Sequence, residues 1–194
     1  MRQMLQPLAQ SLADMPRQIG STPKAILMIS GHWEDDRAFA VMANPKPPMV
    51  YDYYGFPAHT YQVVYPAPGS PELAQRVHGL IAAAGLPTRI DTERGFDHGL
   101  YSPMAVMYPQ ADVPVIQLSM MSDMDPARHI ALGRALAPLR DEGVLIVGSG
   151  LSYHNLRRMG PAAREPSEAF DAWLGKAMQA APAQREADLL NWAN

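Results

Sequence analysis

Histidine supplies most of the chemistry available to this sequence. It has six histidines and no cysteine, so disulfides are excluded and a transition metal must be held by imidazole or carboxylate. His32 follows the apolar run "AILMIS" and Gly31. His98 lies in the loop "ERGFDHGLYSP" after residues 88–92, and His154 lies in "GSGLSYHNL" after residues 144–148. His129 falls in the first turn of a helix that follows residues 113–119. Imidazole is the commonest ligand for zinc, iron and copper, and it is the usual general acid or base near neutral pH. Any one of these histidines alone reads as an ordinary surface residue. Four of them placed after strand-like runs point to metal binding or proton transfer at one site. His59, in a loop rich in proline and tyrosine, is assigned to the pocket; His78, mid-helix beside Val77, is expected to face solvent. The acids Glu34, Asp35 and Asp36 are either partners of the site or a solvated turn.

The elements that must position these side chains are marked by local signals. Residues 25–30 read as a buried strand and 38–42 as a second, its expected neighbour. Met4, Leu5, Leu8, Leu12 and Met15 recur at helical spacing. Ser70 caps a helix with Pro71 at its first position and Gly85 beyond its end. Asp125 and Pro126 open another helix, expected to run to about Arg140. The strands at 113–119 and 144–148 flank it, which predicts a parallel pair. A last helix carries Phe170, Trp173, Leu174, Ala177 and Met178. The expected fold is α/β: a single three-layer α/β/α domain over residues 1–194 with a mixed, largely parallel central sheet. Ligands of open α/β sheets bind beyond the carboxyl ends of the strands, so parallel strands would bring all four histidines to one rim.

Composition removes several function classes. The net charge is −3, with no basic patch for nucleic acid and no polybasic segment for anionic membranes. No apolar run is long enough to cross a bilayer, and the amphipathic start "MRQMLQPLAQ" lacks a signal-peptide core, so a cytoplasmic location is expected. HExxH, Walker A and G-x-S-x-G motifs are absent, and "GSG" at 148–150 lacks the third glycine of a dinucleotide fingerprint.

Longer stretches carry a family resemblance. "ILMISGHWED", "YDYYGFPAHTYQVVYPAPGSPELA", "RGFDHGLYSPMAVMYPQADVPVIQLSM" and "LGRALAPLRDEGVLIVGSGLSYHNLR" resemble the class III extradiol ring-cleavage dioxygenases. The nearest branch is that of the 4,5-DOPA extradiol dioxygenases, related to the catalytic B subunit of protocatechuate 4,5-dioxygenase. The match runs in order from about residue 23 to residue 157. The resemblance implies a mononuclear non-haem Fe(II), or zinc as in some members, and O2-dependent opening of a catechol-type substrate. It places His32 on a metal ligand, His154 on the acid/base catalyst, and His98 on a histidine that contacts substrate or oxygen. It lines the ring pocket with Tyr53, Phe56 and Pro57, to which the reading of the residues adds His59 and His129.

Family members begin with a strand and a His-Gly motif and end with a Glu-His-Leu-Leu-Pro-like motif; these supply the other two metal ligands. The opening strand with its His-Gly turn is expected to lie before Met1 and the closing motif beyond Asn194, since "ADLLNWAN" stops inside an apolar pattern. The chain is therefore expected to be a truncated copy, impaired or inactive by itself. Two other readings stay open: a non-catalytic module that binds aromatic acids on the same fold, and a zinc hydrolase with His32, His98 and His154 as its ligands.

Overall fold

The apolar runs at 26–28, 39–42 and 115–119 are buried on both faces, as a sheet covered by helices requires, whereas 144–149 is mostly half-buried. The computed structural model describes residues 2–193, with side chains from Gln6 onward; the side chains of Met4 and Leu5 lie outside the described residues. It falls into two compact units, one ending at Ser149 and one beginning at Gly150.

The first unit holds five strands: β1 (Ala25–Asp35), β2 (Phe39–Met42), β3 (Thr88–Asp91), β4 (Val115–Met121) and β5 (Val144–Ser149). Their order across the sheet is β3-β2-β4-β1-β5. β1 is parallel to both β4 and β5, and β2 is parallel to β3 but antiparallel to β4. This is the mixed, mostly parallel sheet expected. β4 and β5 are parallel as predicted, with β1 between them.

The expected pairing of β2 with β1 is incorrect. Both sides of β1 are taken by β4 and β5, so the chain leaving β1 turns back outside β4. A single backbone pair, Val41 opposite Leu118, joins β2 to β4, and the buried Ser119 Oγ accepts a further bond from the Ala40 N–H (2.8 Å). Ile26, Leu27 and Met28 of β1 and all four residues of β2 are buried. Each such aliphatic side chain contributes about 1.5–3 kcal/mol of burial free energy.

Helices α1 (Arg2–Ile19), α2 (Pro71–Ala83), α3 (His98–Met107), α4 (Pro126–Leu136) and the short α5 (Pro138–Asp141) flank the sheet. α1 packs on α3, and α2 packs on α4. Ser70 Oγ accepts from the Leu73 N–H, and Leu73, Ala74, Val77 and Ile81 form the buried stripe of α2. Asp125 likewise caps α4 through the Ala127 N–H. α4 stops at Leu136, short of the expected Arg140, because Pro138 lacks an N–H and disfavours helix before it, so α5 starts there afresh. His78 is half-buried, with Nδ1 3.2 Å from Thr88 Oγ1, and does not face solvent freely.

β1 runs five residues past its expected end at Ser30, and its ladder to β4 is broken on the way. Ile29 faces Leu118 and Glu34 faces Met120, so β1 takes five steps where β4 takes two. The surplus forms a β-bulge around His32, a device that re-aims a side chain without ending the strand. Asp35 closes the strand: its carboxylate accepts the Arg37 and Ala38 N–H groups and pairs with Arg89 at 2.8 Å. The acids after His32 thus include the anchor of the β1–β2 turn.

The second unit contains α6 (Arg164–Gln179) and α7 (Pro182–Leu190). In it Phe170 packs against Trp173 (5.4 Å between ring centroids) and Trp192 (6.4 Å), with Ala177 buried. Among the described residues no helix is long and apolar enough to cross a membrane.

Candidate metal and substrate site

Behind the bulge lies a buried polar knot. Asp97 is fully buried and N-caps α3: Oδ1 accepts from Ser30 Oγ (2.8 Å) and the Leu100 N–H (3.2 Å). Its Oδ2 accepts from Gln117 Nε2 and Arg94 Nη2, each at 2.8 Å. Ser30 Oγ also accepts the His32 N–H at 3.2 Å, so the knot holds both the base of His32 and the start of the helix that carries His98. Gly99 makes the close approach possible. A Cβ at that position would press on Ser30 Oγ and come within 3.2 Å of both His32 Cδ2 and Asp97 Oδ1.

His98 meets His32 by a different route from the one expected. β3 runs opposite to β1, so its carboxyl end points away from the rim where β1, β4 and β5 end, and the picture of four histidines on one parallel rim fails there. The chain returns through residues 92–97, pinned by Phe96 alongside Met49 and by Asp97 on Ser30. The outcome is close contact: the His32 and His98 rings lie 3.9 Å apart between centroids.

Asp52 completes the cluster. Its Oδ1 accepts both the His98 backbone N–H (3.1 Å) and the His98 ring at Nδ1 (2.8 Å), and its Oδ2 lies 3.4 Å from His32 Nδ1. Burial pushes the Asp52 carboxyl up, but the hydrogen bonds from His98 outweigh it and hold the pKa below the usual carboxylate value. One ligand atom from each of His32, Asp52 and His98 can be chosen with all three within 4.8 Å of one another. Two imidazoles and a carboxylate in that space form a donor set suited to a divalent first-row metal.

An aromatic wall stands beside the cluster. Tyr53 meets His98 with the two rings nearly perpendicular (5.4 Å between centroids) and packs against Tyr61 (5.2 Å) and Phe56 (5.4 Å). Its hydroxyl donates to the Thr60 carbonyl (2.5 Å) and accepts from the Tyr101 hydroxyl (2.8 Å). Burial, followed by the hydrogen bond to Tyr53, pushes the Tyr101 phenol far above its ordinary range, so it remains a donor at any working pH. Tyr101→Phe, which removes that donor and keeps the ring, is expected to cost about 1 kcal/mol of stability in urea denaturation. It should also weaken binding of an aromatic ligand; unchanged affinity would show that the wall does not depend on this bond.

Of the residues singled out from the sequence, His32, His98, Tyr53 and Phe56 are drawn together. Pro57 caps a 3-10 turn (Ala58–Gln62) that holds His59, which is exposed, on the same loop. His129 has local partners at both ring nitrogens: Nε2 accepts the Met121 N–H, and Nδ1 lies 2.8 Å from the Asp125 carbonyl. His154 belongs to the second unit, in an exposed irregular stretch before α6. Sequence reasoning missed Asp52, Asp97 and Tyr101. An acid between two tyrosines, and "DHG" read as cap, ligand and close-packed glycine, were the available signals.

Comparison with known proteins agrees with this architecture. The family model for the catalytic LigB subunit of aromatic ring-opening dioxygenase matches residues 2–194. A 4,5-DOPA dioxygenase extradiol of Beta vulgaris is 48% identical over 160 residues, which cover 80% of this chain and 59% of that protein. One from Escherichia coli K12 is 48% identical over 136 residues, covering 70% and 49%. The chain thus spans about half the length of the curated relatives it matches. The crystal structure of an uncharacterized Escherichia coli K12 protein superposes with a TM-score of 0.76 at 35% identity, over 95% of this chain and 70% of that one.

Proposed function

The chain belongs to the LigB family of aromatic ring-opening dioxygenases, and from that premise we propose that it serves O2-dependent extradiol cleavage of a catechol-type ring. The observation that carries this reading is the contact of His32 and His98 around Asp52, with the Tyr53 ring set nearly perpendicular against His98. His32 is the proposed ligand of a non-haem Fe(II), zinc being the alternative, and the neighbouring imidazole of His98, with the Asp52 carboxylate close to both rings, fits such an ion. When bound, the metal would supply Lewis acidity toward the catechol hydroxyls and an open position for O2.

The chain's own residues do the rest. The bulge of β1 and the Ser30–Asp97 bond hold His32 at a fixed aim. Tyr53 offers only its ring to a ligand, since its hydroxyl is already tied to Thr60 and Tyr101; that suits a flat aromatic substrate. His98, held by Asp52, is proposed to contact the substrate or the oxygen. His154 is proposed to take a catechol proton and return it to the ring-opened product. The relatives named for 4,5-DOPA make DOPA the first catechol to test.

Protein restored with the family's opening His-Gly and closing Glu-His-Leu-Leu-Pro-like motifs, loaded with Fe(II) under anaerobic conditions and then given DOPA and air, should consume O2 in step with formation of the ring-opened product, and residues 1–194 by themselves should do so less or not at all. His32→Ala should abolish both metal retention and turnover. His154→Ala should lower turnover by about 10²–10⁴-fold with the metal retained, as for a lost general base. Tight binding of the catechol without O2 uptake would overturn the dioxygenase reading for this chain and leave an aromatic-acid-binding module in its place.

A further inference from the structure

Asp52 divides its two oxygens between two histidines. Oδ1 is hydrogen-bonded to the ring of His98 at Nδ1 (2.8 Å) and to the His98 backbone N–H, and Oδ2 faces His32 Nδ1 at 3.4 Å, a charge contact longer than a hydrogen bond. Both rings therefore turn the same nitrogen toward one carboxylate and leave the other nitrogen, Nε2, away from it. A carboxylate has no proton to give near neutral pH, so whatever binds it must donate. A neutral imidazole has one N–H only, and a donor at Nδ1 makes Nε2 the lone-pair nitrogen. We infer that Asp52 is a positioning residue that fixes both His32 and His98 as Nδ1–H tautomers, so that each ring offers Nε2 to the metal or the substrate.

Three further features of the structure make this more than a pair of contacts. First, Asp52 is itself held. His98 opens α3, its backbone N–H is one of the free donors of a helix start, and Asp52 Oδ1 satisfies it. Second, the Asp52 side chain is only 19% exposed, against 37% and 32% for His32 and His98, so the carboxylate lies beneath the two rings with respect to solvent. Third, the loop carrying Asp52 is tied down on both sides: Tyr51 donates to the Val63 carbonyl, and Tyr53 is locked between Thr60 and Tyr101. The arrangement is a carboxylate behind imidazoles, which fixes the tautomer and the ring orientation. It assigns Asp52 a role behind the ligands and not as a third ligand. The consequence for the metal rests on the function proposed above, but the tautomers themselves do not.

The tautomers are read directly from long-range 1H–15N correlation spectra of the metal-free protein at a pH where the imidazoles are neutral. The wild-type protein should show His32 and His98 protonated at Nδ1, alongside His129, whose Nδ1 faces the Asp125 carbonyl and whose Nε2 accepts the Met121 N–H. Asp52→Ala should return His32 and His98 to the Nε2–H form that a free imidazole prefers, while His129, an internal control of folding, stays unchanged. Asp52→Asn gives a sharper result. Asparagine has one oxygen and one NH2 group, so with its oxygen kept on the two His98 donors its amide must donate to His32. His98 should then remain Nδ1–H and His32 should switch.

Zn(II) added to the wild-type protein should shift the Nε2 resonances of the ligating ring. An Nε2–H tautomer at either ring in the wild type would overturn the inference, even if neither variant folds. So would retention of both Nδ1–H forms in Asp52→Ala, or Zn(II) bound through Nδ1, which would make Asp52 a ligand. Loss of O2 uptake alongside the expected tautomers would count against the dioxygenase reading and leave this one standing.

Discussion

Asp97→Ala is expected to destabilise the protein by about 3–5 kcal/mol, the cost of removing one partner from a buried ionic network. The carboxylate is completely buried and serves four donors from three parts of the chain: Ser30 on β1, Gln117 on β4, and Arg94 and the Leu100 N–H around the start of α3. Removing it strands Arg94, whose guanidinium lies 4.8 Å over the ring of the buried Trp33 and is shielded from water on that side. It also removes the N-cap of α3, and a lost cap alone costs about 1 kcal/mol. In a protein of this size the melting temperature should fall by roughly 10 °C. Asp97→Asn, which keeps shape and part of the hydrogen bonding, should lose less. A loss below 1 kcal/mol for the alanine variant in urea denaturation would show that the knot does not hold the two histidine-bearing elements together.

Gly99→Ala is expected to act on chemistry more than on folding. The new methyl group would press on Ser30 Oγ and crowd His32 Cδ2 and Asp97 Oδ1, so either the helix start moves out or the Ser30–Asp97 bond opens. Overpacking of this kind costs about 1–3 kcal/mol. The larger effect is on the aim of His32, since displacement of a reacting group by about 1 Å can lower turnover some 10²-fold. Paired measurement of denaturation midpoint and O2 uptake would separate the two effects. Wild-type turnover would mean that the ring of His32 is not held by this contact.

What could be read in the sequence follows from how local each determinant is. The caps at Ser70 and Asp125 are written in adjacent residues and were legible, as were the apolar runs of β1, β2, β4 and β5; β3, Thr-Arg-Ile-Asp, carries no such run. The sheet order was not, because nothing near Phe39 says that its strand must pass over β4 to pair with Leu118 from the far side. The end of β1 was misplaced for a related reason: Gly31 followed by acids looks like a turn, and the partner residues Met120 and Met121 that carry the strand on to Asp35 are remote in sequence. The meeting of His32 and His98 was anticipated from a rim of parallel strands. The structure delivers it with β3 reversed and a returning loop pinned by Phe96 and Asp97. Asp52 stayed hidden because a loop aspartate between tyrosines is ordinarily solvated. Only the fold shows that its two oxygens face two rings.

The bulge in β1 has a consequence for how this protein can vary. Pairing with β4 lapses after Ile29 and resumes at Glu34, so residues 30–33 are not counted against the partner strand. Substitution within that window can swing the direction of His32 by a few degrees while the alternation of buried side chains on either side remains in phase. A strand of perfect register would offer no such freedom, because every added or lost residue inverts its two faces. The sheet therefore behaves as a chassis with one adjustable mount, and the mount carries the residue on which selection for a different ring or a different metal would act.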